Sequence, residues 1–265
     1  MMKRIIVTPA GRMRYMSLLA AYLKEQRSFF DEWHIWQNTN NQEDIEYFKT
    51  LDAKIIIPEN NDPTQGNHNL NKFYPIDSFE ENALYLKLDD DIVWMEPDFI
   101  NKMFTIRQKN NSNFLIFANT INNSVCSHLH MRNNQITWND VGGYNTFDSA
   151  FWSNPLVAES THSTFLDNND DFTKFYLNDW YLHINERVSI NAVTWRSEDF
   201  AVFQGIIDGE DELFLTYHGP SRLGGKRSFI YGQALCSHYS YRTQISYLDQ
   251  TNILARYREL LNSSV

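Results

Sequence analysis

Residues 83–95 read "ALYLKLDDDIVWM": a strand-length run rich in apolar residues, three adjacent aspartates, then four more apolar residues. A short run of this kind predicts a buried β-strand over "NALYLKL", with Asp89, Asp90 and Asp91 at its carboxyl end. Three neighbouring carboxylates repel one another, and burying an anion without a partner is expensive. One account is a solvated turn or a helix N-cap, where aspartate is common. The next helical pattern, "PDFINKMFTIRQK", starts only at Pro97, after "IVWM", which is too late for a cap. Hard carboxylate oxygens gathered at one point suit a divalent cation, Mg²⁺ or Mn²⁺, which completes its shell with water and ligand phosphate.

Upstream, strand and helix patterns alternate. "RIIVT" is β-branched, and "RMRYMSLLAAYLKEQ" places Met16, Leu19, Ala20 and Leu23 at helical spacing. "EWHIWQN" predicts a second strand, "QEDIEYFKTL" a short helix, and "AKIIIPE" a third strand stopped by Pro58. Strands separated by helices of this length imply a mostly parallel sheet covered by helices, because parallel neighbours need a crossover connection. Ligands of such sheets collect beyond the carboxyl ends of the strands, where the aspartates stand. The second half is less regular: "NFLIFANTI" and "RVSINAVTW" read as strands, and "DDFTKFYLNDWYLH", "EDFAVFQGII" and "ISYLDQTNILARYRELL" as helices. Two glycine-bearing loops, "NDVGGYN" and "HGPSRLGGKRS", are long enough to be functional.

The chain has 265 residues, 42% hydrophobic and 15% aromatic, enough for a large core in one domain. Its formal charge of −10 argues against a nucleic-acid partner. The apolar run at the N-terminus is too brief for a signal peptide, and no window approaches the length of a transmembrane helix, so a cytosolic protein without a membrane span is expected. Cys126 and Cys236 are far apart in sequence; reduced thiols and one disulfide both stay open.

The strand ending in Asp-x-Asp, with the strand–helix–strand order before it, resembles the DxD motif and nucleotide-binding half of GT-A glycosyltransferases. The resemblance implies a Rossmann-like α/β domain over residues 1–265. Residues 1–110 would bind the nucleotide sugar, 111–244 would form the acceptor and catalytic half, and 245–265 would be a C-terminal helix. Asp89 and Asp91 take the two DxD positions, holding Mn²⁺ or Mg²⁺ against the diphosphate, and Asp90 takes the middle one, facing the ribose or doing little beyond tuning its neighbours. "ALCSHYSYRTQ" is similar to a late His-aromatic-Ser-aromatic stretch of bacterial and viral sugar transferases of this fold, which makes His238 a third metal ligand. "SINAVTWRSEDFA" looks like the segment that supplies the general base of inverting members, so Glu198 or Asp199 would take the acceptor's proton. The same acids would equally serve to cap the helix that follows.

Further donor contacts are expected from Thr8, Pro9, Ala10, Gly11 and Arg12 in "TPAGR", and from Asn38 and Thr39 in "WQNTNN". Asn71 and Lys72 are further candidates, and Lys226 and Arg227 would act in a lid over the diphosphate. The expected function is transfer of a sugar from a nucleoside-diphosphate donor, UDP-linked, to a hydroxyl of a glycan or similar acceptor, with inversion. Two rivals stand beside it: a nucleotidyltransferase that makes nucleotide sugars, and a non-catalytic carbohydrate-binding protein that would use the abundant Trp and Tyr.

Overall fold

A computed structural model describes residues 2–136 and 150–263. The loop "NDVGGYN" therefore lies outside the described residues. The strands are β1 (Lys3–Ala10), β2 (Glu32–Gln37), β3 (Lys54–Ile56), β4 (Ala83–Leu88), β5 (Ile92–Met95), β6 (Ile116–Ile121), β7 (Trp180–Tyr181), β8 (Ala192–Arg196) and β9 (Phe229–His238). They form one sheet in the order β3-β2-β1-β4-β8-β6-β9-β5, with β7 against β9. β1, β2, β3, β4, β6 and β9 run one way and β5, β7 and β8 the other. The architecture is α/β, a single domain around a mixed, mostly parallel sheet, as the sequence predicts.

Alternation along β4 explains why the whole strand is apolar. Leu84, Leu86 and Leu88 enter one core with Met16, Leu19 and Leu23 of helix Met13–Glu25 and Met103 of helix Phe99–Lys109. Ala83 and Tyr85 enter a second core on the opposite face with Trp195, Phe200 and Phe214. A strand covered on both faces has no solvent side to mark with polar residues. Each leucine so buried contributes roughly 2 kcal/mol. Lys87 is the exception on the second face, and its buried ammonium is met by Asp89 and by the carbonyl of Ile190, at 2.9 Å.

Several segments depart from their sequence pattern. "DDFTKFYLNDWYLH" forms a 3-10 turn (Asn169–Phe175) and the edge strand β7, because Asp179 turns its carboxylate to the Gly232 amide of β9 at 3.0 Å. The helix expected over "EDFAVFQGII" ends at Ala201, and the terminal helix is two helices, Ile245–Leu248 and Ile253–Ser263. Cys126 and Cys236 are buried free thiols on either side of Thr120, which donates its amide to the first and contacts the second through Oγ1, 3.3 Å away. Burial pushes the Cys126 thiol up to about 12.

β9 decides where the second half of the site falls. Its register against β6 jumps from Ala118↔Tyr231 to Asn119↔Leu235, so Gly232, Gln233 and Ala234 bulge out. Such a bulge re-aims the strand beyond it. Asn119 holds the bulge by donating to the Gly232 carbonyl, and the Leu177 amide donates to the same oxygen at 3.1 Å. A Cβ on Gly232 would fall 1.9 Å from the Leu177 oxygen, which is backbone and has nowhere to go. Gly232→Ala is expected to destabilise the fold by about 3 kcal/mol or more, lowering Tm by roughly 6–12 °C for a chain of this size. A melt within about one degree of wild type would contradict the tight packing of the bulge.

Candidate metal and nucleotide site

β1, β2 and β4 end on one edge of the sheet, and the loops that follow them meet there. The Gly11 amide donates to Asp90 Oδ2 at 3.0 Å, and the Asn38 amide to the Ala10 carbonyl at 2.8 Å. A Cβ on Gly11 would stand 3.1 Å from the Asn38 carbonyl oxygen, a tight contact.

The three aspartates form the turn between β4 and β5 and diverge in role. Asp89 is the most open; its oxygens accept from Lys87 and, at 3.1 Å, from the Asn191 side chain. Asp90 is buried and fully engaged, with Gly11, Arg12 Nε at 3.3 Å and Arg12 Nη2 all on its carboxylate. Burial pushes its carboxyl up against the pull of Arg12. Asp90 therefore turns into the β1 loop, where Gly11 and Arg12 engage it.

Asp91 is 1% exposed, yet neither of its carboxylate oxygens has a hydrogen-bond partner. Arg12 Nη2 lies 3.0 Å from Oδ2 and His238 Nε2 3.4 Å from Oδ1, close enough for charge attraction but without hydrogen-bond geometry. Burial alone would raise the Asp91 carboxyl; the charges of Arg12 and His238 outweigh it and hold the group well below the usual range. His238 arrives because β5 pairs antiparallel with β9, Ile92 opposite His238, and the Tyr239 amide caps the Asp91 carbonyl at 2.8 Å. His238 Nδ1 faces the Asn122 carbonyl at 3.4 Å, which leaves Nε2 toward Asp91. Backbone fixation of the far nitrogen is the usual arrangement of a metal-binding imidazole.

One oxygen each of Asp89 and Asp91 and one nitrogen of His238 lie within 4.8 Å of one another. This donor set fits Mn²⁺ or Mg²⁺: two hard carboxylates, an imidazole acceptable to Mn²⁺, and a buried carboxylate whose lone pairs are unclaimed.

The other expected site residues fall in two groups. Asn38 and Thr39 stand beside Gly11, each tied to its surroundings: Asn38 Oδ1 accepts from Asn69 at 2.8 Å, and Thr39 Oγ1 donates to Asp44 at 3.1 Å. Asn71 donates to the Gly209 carbonyl and Lys72 to that of Asn60. Pro9 and Ala10 are still within β1, and Thr8 Oγ1 accepts the Trp33 indole at 3.0 Å, a core contact. Glu198, Asp199, Lys226 and Arg227 do not join the aspartates. β8 is antiparallel to β4, with Arg196 opposite Leu84 and Ala192 opposite Leu88, so the residues after Arg196 stand at the other end of β4. There Lys226 Nζ binds both Asp199 oxygens, at 2.6 and 2.8 Å, Glu198 pairs with Arg196, and Arg227 Nε donates to the Leu182 carbonyl. The residues proposed as base and lid thus stand, in this structure, away from the Asp89–Asp91 turn.

A different acid approaches instead. Asp211 is 3% exposed and accepts from Tyr74 Oη at 3.1 Å and from the Glu212 amide at 2.9 Å. Burial pushes its carboxyl up, and the nearby Lys87 and Asp89 charges act on it in opposite senses. It belongs to Glu210-Asp211-Glu212, the chain's other run of three adjacent acids, and that repetition of the Asp89–Asp91 oddity was the available signal.

No protein-family model matches the chain, and no curated protein matches it. Solved structures do. A CMP-2-keto-3-deoxy-manno-octonic acid synthetase complexed with CTP superposes with a TM-score of 0.50 at 11% identity, over 99% of this chain and 100% of that one. Mannosyl-3-phosphoglycerate synthase from Rubrobacter xylanophilus gives 0.51 at 10%, over 99% and 75%. Glucosyl-3-phosphoglycerate synthase from Mycobacterium tuberculosis, in complex with phosphoglyceric acid, gives 0.51 at 11%, over 99% and 79%. The chain has the fold shared by these glycosyl- and nucleotidyltransferases. Among the described residues no helix is long and apolar enough to cross a membrane.

Proposed function

We propose that the chain is a divalent-cation-dependent glycosyltransferase that moves a sugar from a nucleoside diphosphate, UDP by preference, to a hydroxyl of a glycan or similar acceptor, with inversion. The observation that carries this reading is Asp91: a buried carboxylate with unclaimed oxygens, beside Asp89 and His238, where β1 and β4 end. Those three residues would hold the cation. When bound, it supplies positive charge to a departing diphosphate.

The remaining chemistry falls to the chain's own groups. Asp211 accepts the acceptor's hydroxyl proton as that oxygen bonds to the anomeric carbon, while the bond from that carbon to the diphosphate oxygen breaks and the pair of electrons leaves with the nucleotide. A buried carboxyl raised above its ordinary value is a better proton acceptor than a solvated one. Tyr74 and the Glu212 amide fix its oxygens. The β1 and β2 loops, with Gly11, Asn38 and Thr39, would border the nucleoside, and Asn71, bonded to Gly209, would steady the segment that carries Asp211.

Nucleotidyl transfer is the competing reading on the same fold. It calls for a glycine-rich N-terminal loop beside a basic residue, whereas here Gly11 is the one glycine of "TPAGRMR". A screen of nucleotide sugars with and without Mn²⁺, scored by released nucleotide, decides. Mn²⁺-dependent release of nucleoside diphosphate is expected. Pyrophosphate release from a nucleoside triphosphate and a sugar phosphate would instead establish the competing reading, and glycan binding without either reaction would establish a lectin-like protein.

A further inference from the structure

The metal ligands already have a cation beside them. Arg12 Nη2 reaches Asp90 Oδ1 and stands 3.0 Å from Asp91 Oδ2, while Nε holds Asp90 Oδ2 at 3.3 Å. The two carboxylates are treated unequally. Asp90 receives well-formed hydrogen bonds from Arg12 and from the Gly11 amide; Asp91 receives only the nearness of the charge. The guanidinium lies over the Tyr15 ring, 4.9 Å from its centroid, and about a third of the side chain is exposed. A divalent ion on Asp91 would meet a like charge next to the oxygen it needs.

We propose that Arg12 is a resident counter-cation, moored by Asp90, which a divalent ion must displace from Asp91 and which then turns to the phosphate of the incoming nucleotide, so that metal and nucleotide bind as a coupled pair. The proposal rests on the reading of Asp89, Asp91 and His238 as metal ligands. Asp90 acquires a function in it that its burial otherwise denies: it keeps the guanidinium at the site after Asp91 is given to the metal. Arg12 and Asp90 are positioning residues in this scheme, and the coupling is reciprocal, so nucleotide must tighten metal binding by the same factor by which metal tightens nucleotide.

The test is titration of Mn²⁺ into the purified chain, with and without UDP, followed by calorimetry or by the spin resonance of free Mn²⁺. Arg12→Gln is expected to bind Mn²⁺ about tenfold more tightly than wild type without UDP, and to be tightened less by UDP than wild type is, only the part carried by direct metal–diphosphate attraction remaining. Arg12→Lys keeps the charge and is expected to retain most of the coupling. Asp90→Asn leaves the guanidinium to Asp91 and is expected to weaken Mn²⁺ binding, and that loss should vanish when Arg12→Gln is added, since Asp90 acts through Arg12. A residue that only supports the fold would weaken Mn²⁺ binding in each of these variants. Unchanged or weaker binding in a folded Arg12→Gln, or persistence of the Asp90→Asn loss in the double variant, overturns the inference. Should Arg12→Gln not fold, full coupling in Asp90→Asn with wild-type Mn²⁺ affinity overturns it equally. Mn²⁺ binding that survives in Asp91→Asn would instead remove the metal-site reading beneath it.

Discussion

Asp91→Asn is expected to lower Mn²⁺ affinity by about 100-fold or more, given that losing an outer-shell partner alone costs roughly 10–100-fold. Turnover of any nucleotide sugar at limiting Mn²⁺ should fall with it. The magnitude follows from the site's asymmetry. Asp89 has its oxygens committed to Lys87 and Asn191, and Asp90 to Arg12 and Gly11, whereas both oxygens of Asp91 are buried without a hydrogen-bond partner. To bind a cation Asp91 breaks no formed hydrogen bond, only its ion-pair contacts with Arg12 and His238, and Asp89→Asn should cost less than Asp91→Asn. Titration of Mn²⁺ into each variant ranks them; equal losses, or a greater one at Asp89, would mean that the pairing of Asp89 with Lys87 does not restrain it.

Asp211→Asn should lower kcat by about 10²–10⁴, the usual range for loss of a positioned base, with little change in binding of the nucleotide-sugar donor. The amide keeps the size of the side chain and can still accept from Tyr74, though not also from the Glu212 amide, so a melt measured beside kcat separates the proton transfer from the fold. The sign of the pH dependence is fixed by the environment. A base works when ionised, and the folded Asp211 carboxyl is held above its ordinary 3.8, principally by burial. The wild-type rate should thus rise with pH along an acid limb lying above that value, and Asp211→Asn should lack the limb. Glu198→Gln and Asp199→Asn serve as contrasts, since those side chains stand at the far end of β4 and pair with Arg196 and Lys226. If Asp199→Asn lost more kcat than Asp211→Asn, the assignment of the base would be reversed.

The first half of the chain was legible because its signals are local. β-Branched and apolar runs, helical spacing and Pro58 identify β1 to β4 and their helices to within a few residues. The DxD run was legible because three adjacent carboxylates at a buried strand's end need an explanation whatever the fold. β9 was harder to see. "FIYGQALCSH" is interrupted by Gly232 and Gln233, and only the pairing with β6 on one side and β5 on the other shows the break to be a bulge inside one strand. Where the candidate acids fall was hidden for a related reason. "SEDFA" and "GEDELF" look alike as acids before an apolar segment, and nothing local says at which end of the sheet each will lie.

By itself, then, the sequence determined an α/β fold with a mostly parallel sheet and an acidic strand end suited to a cation, since side-chain period, strand-ending residues and charge density are properties of neighbours in the chain. Only the tertiary structure decided which acids share that site. The antiparallel course of β8 carries Glu198 and Asp199 away, the bulge of β9 brings His238 to Asp91, and the loop after β1 sets Arg12 upon Asp90 and Asp91. Strand direction and register are settled by packing against partners far along the chain, and a reversal of direction moves a side chain by the whole length of a strand.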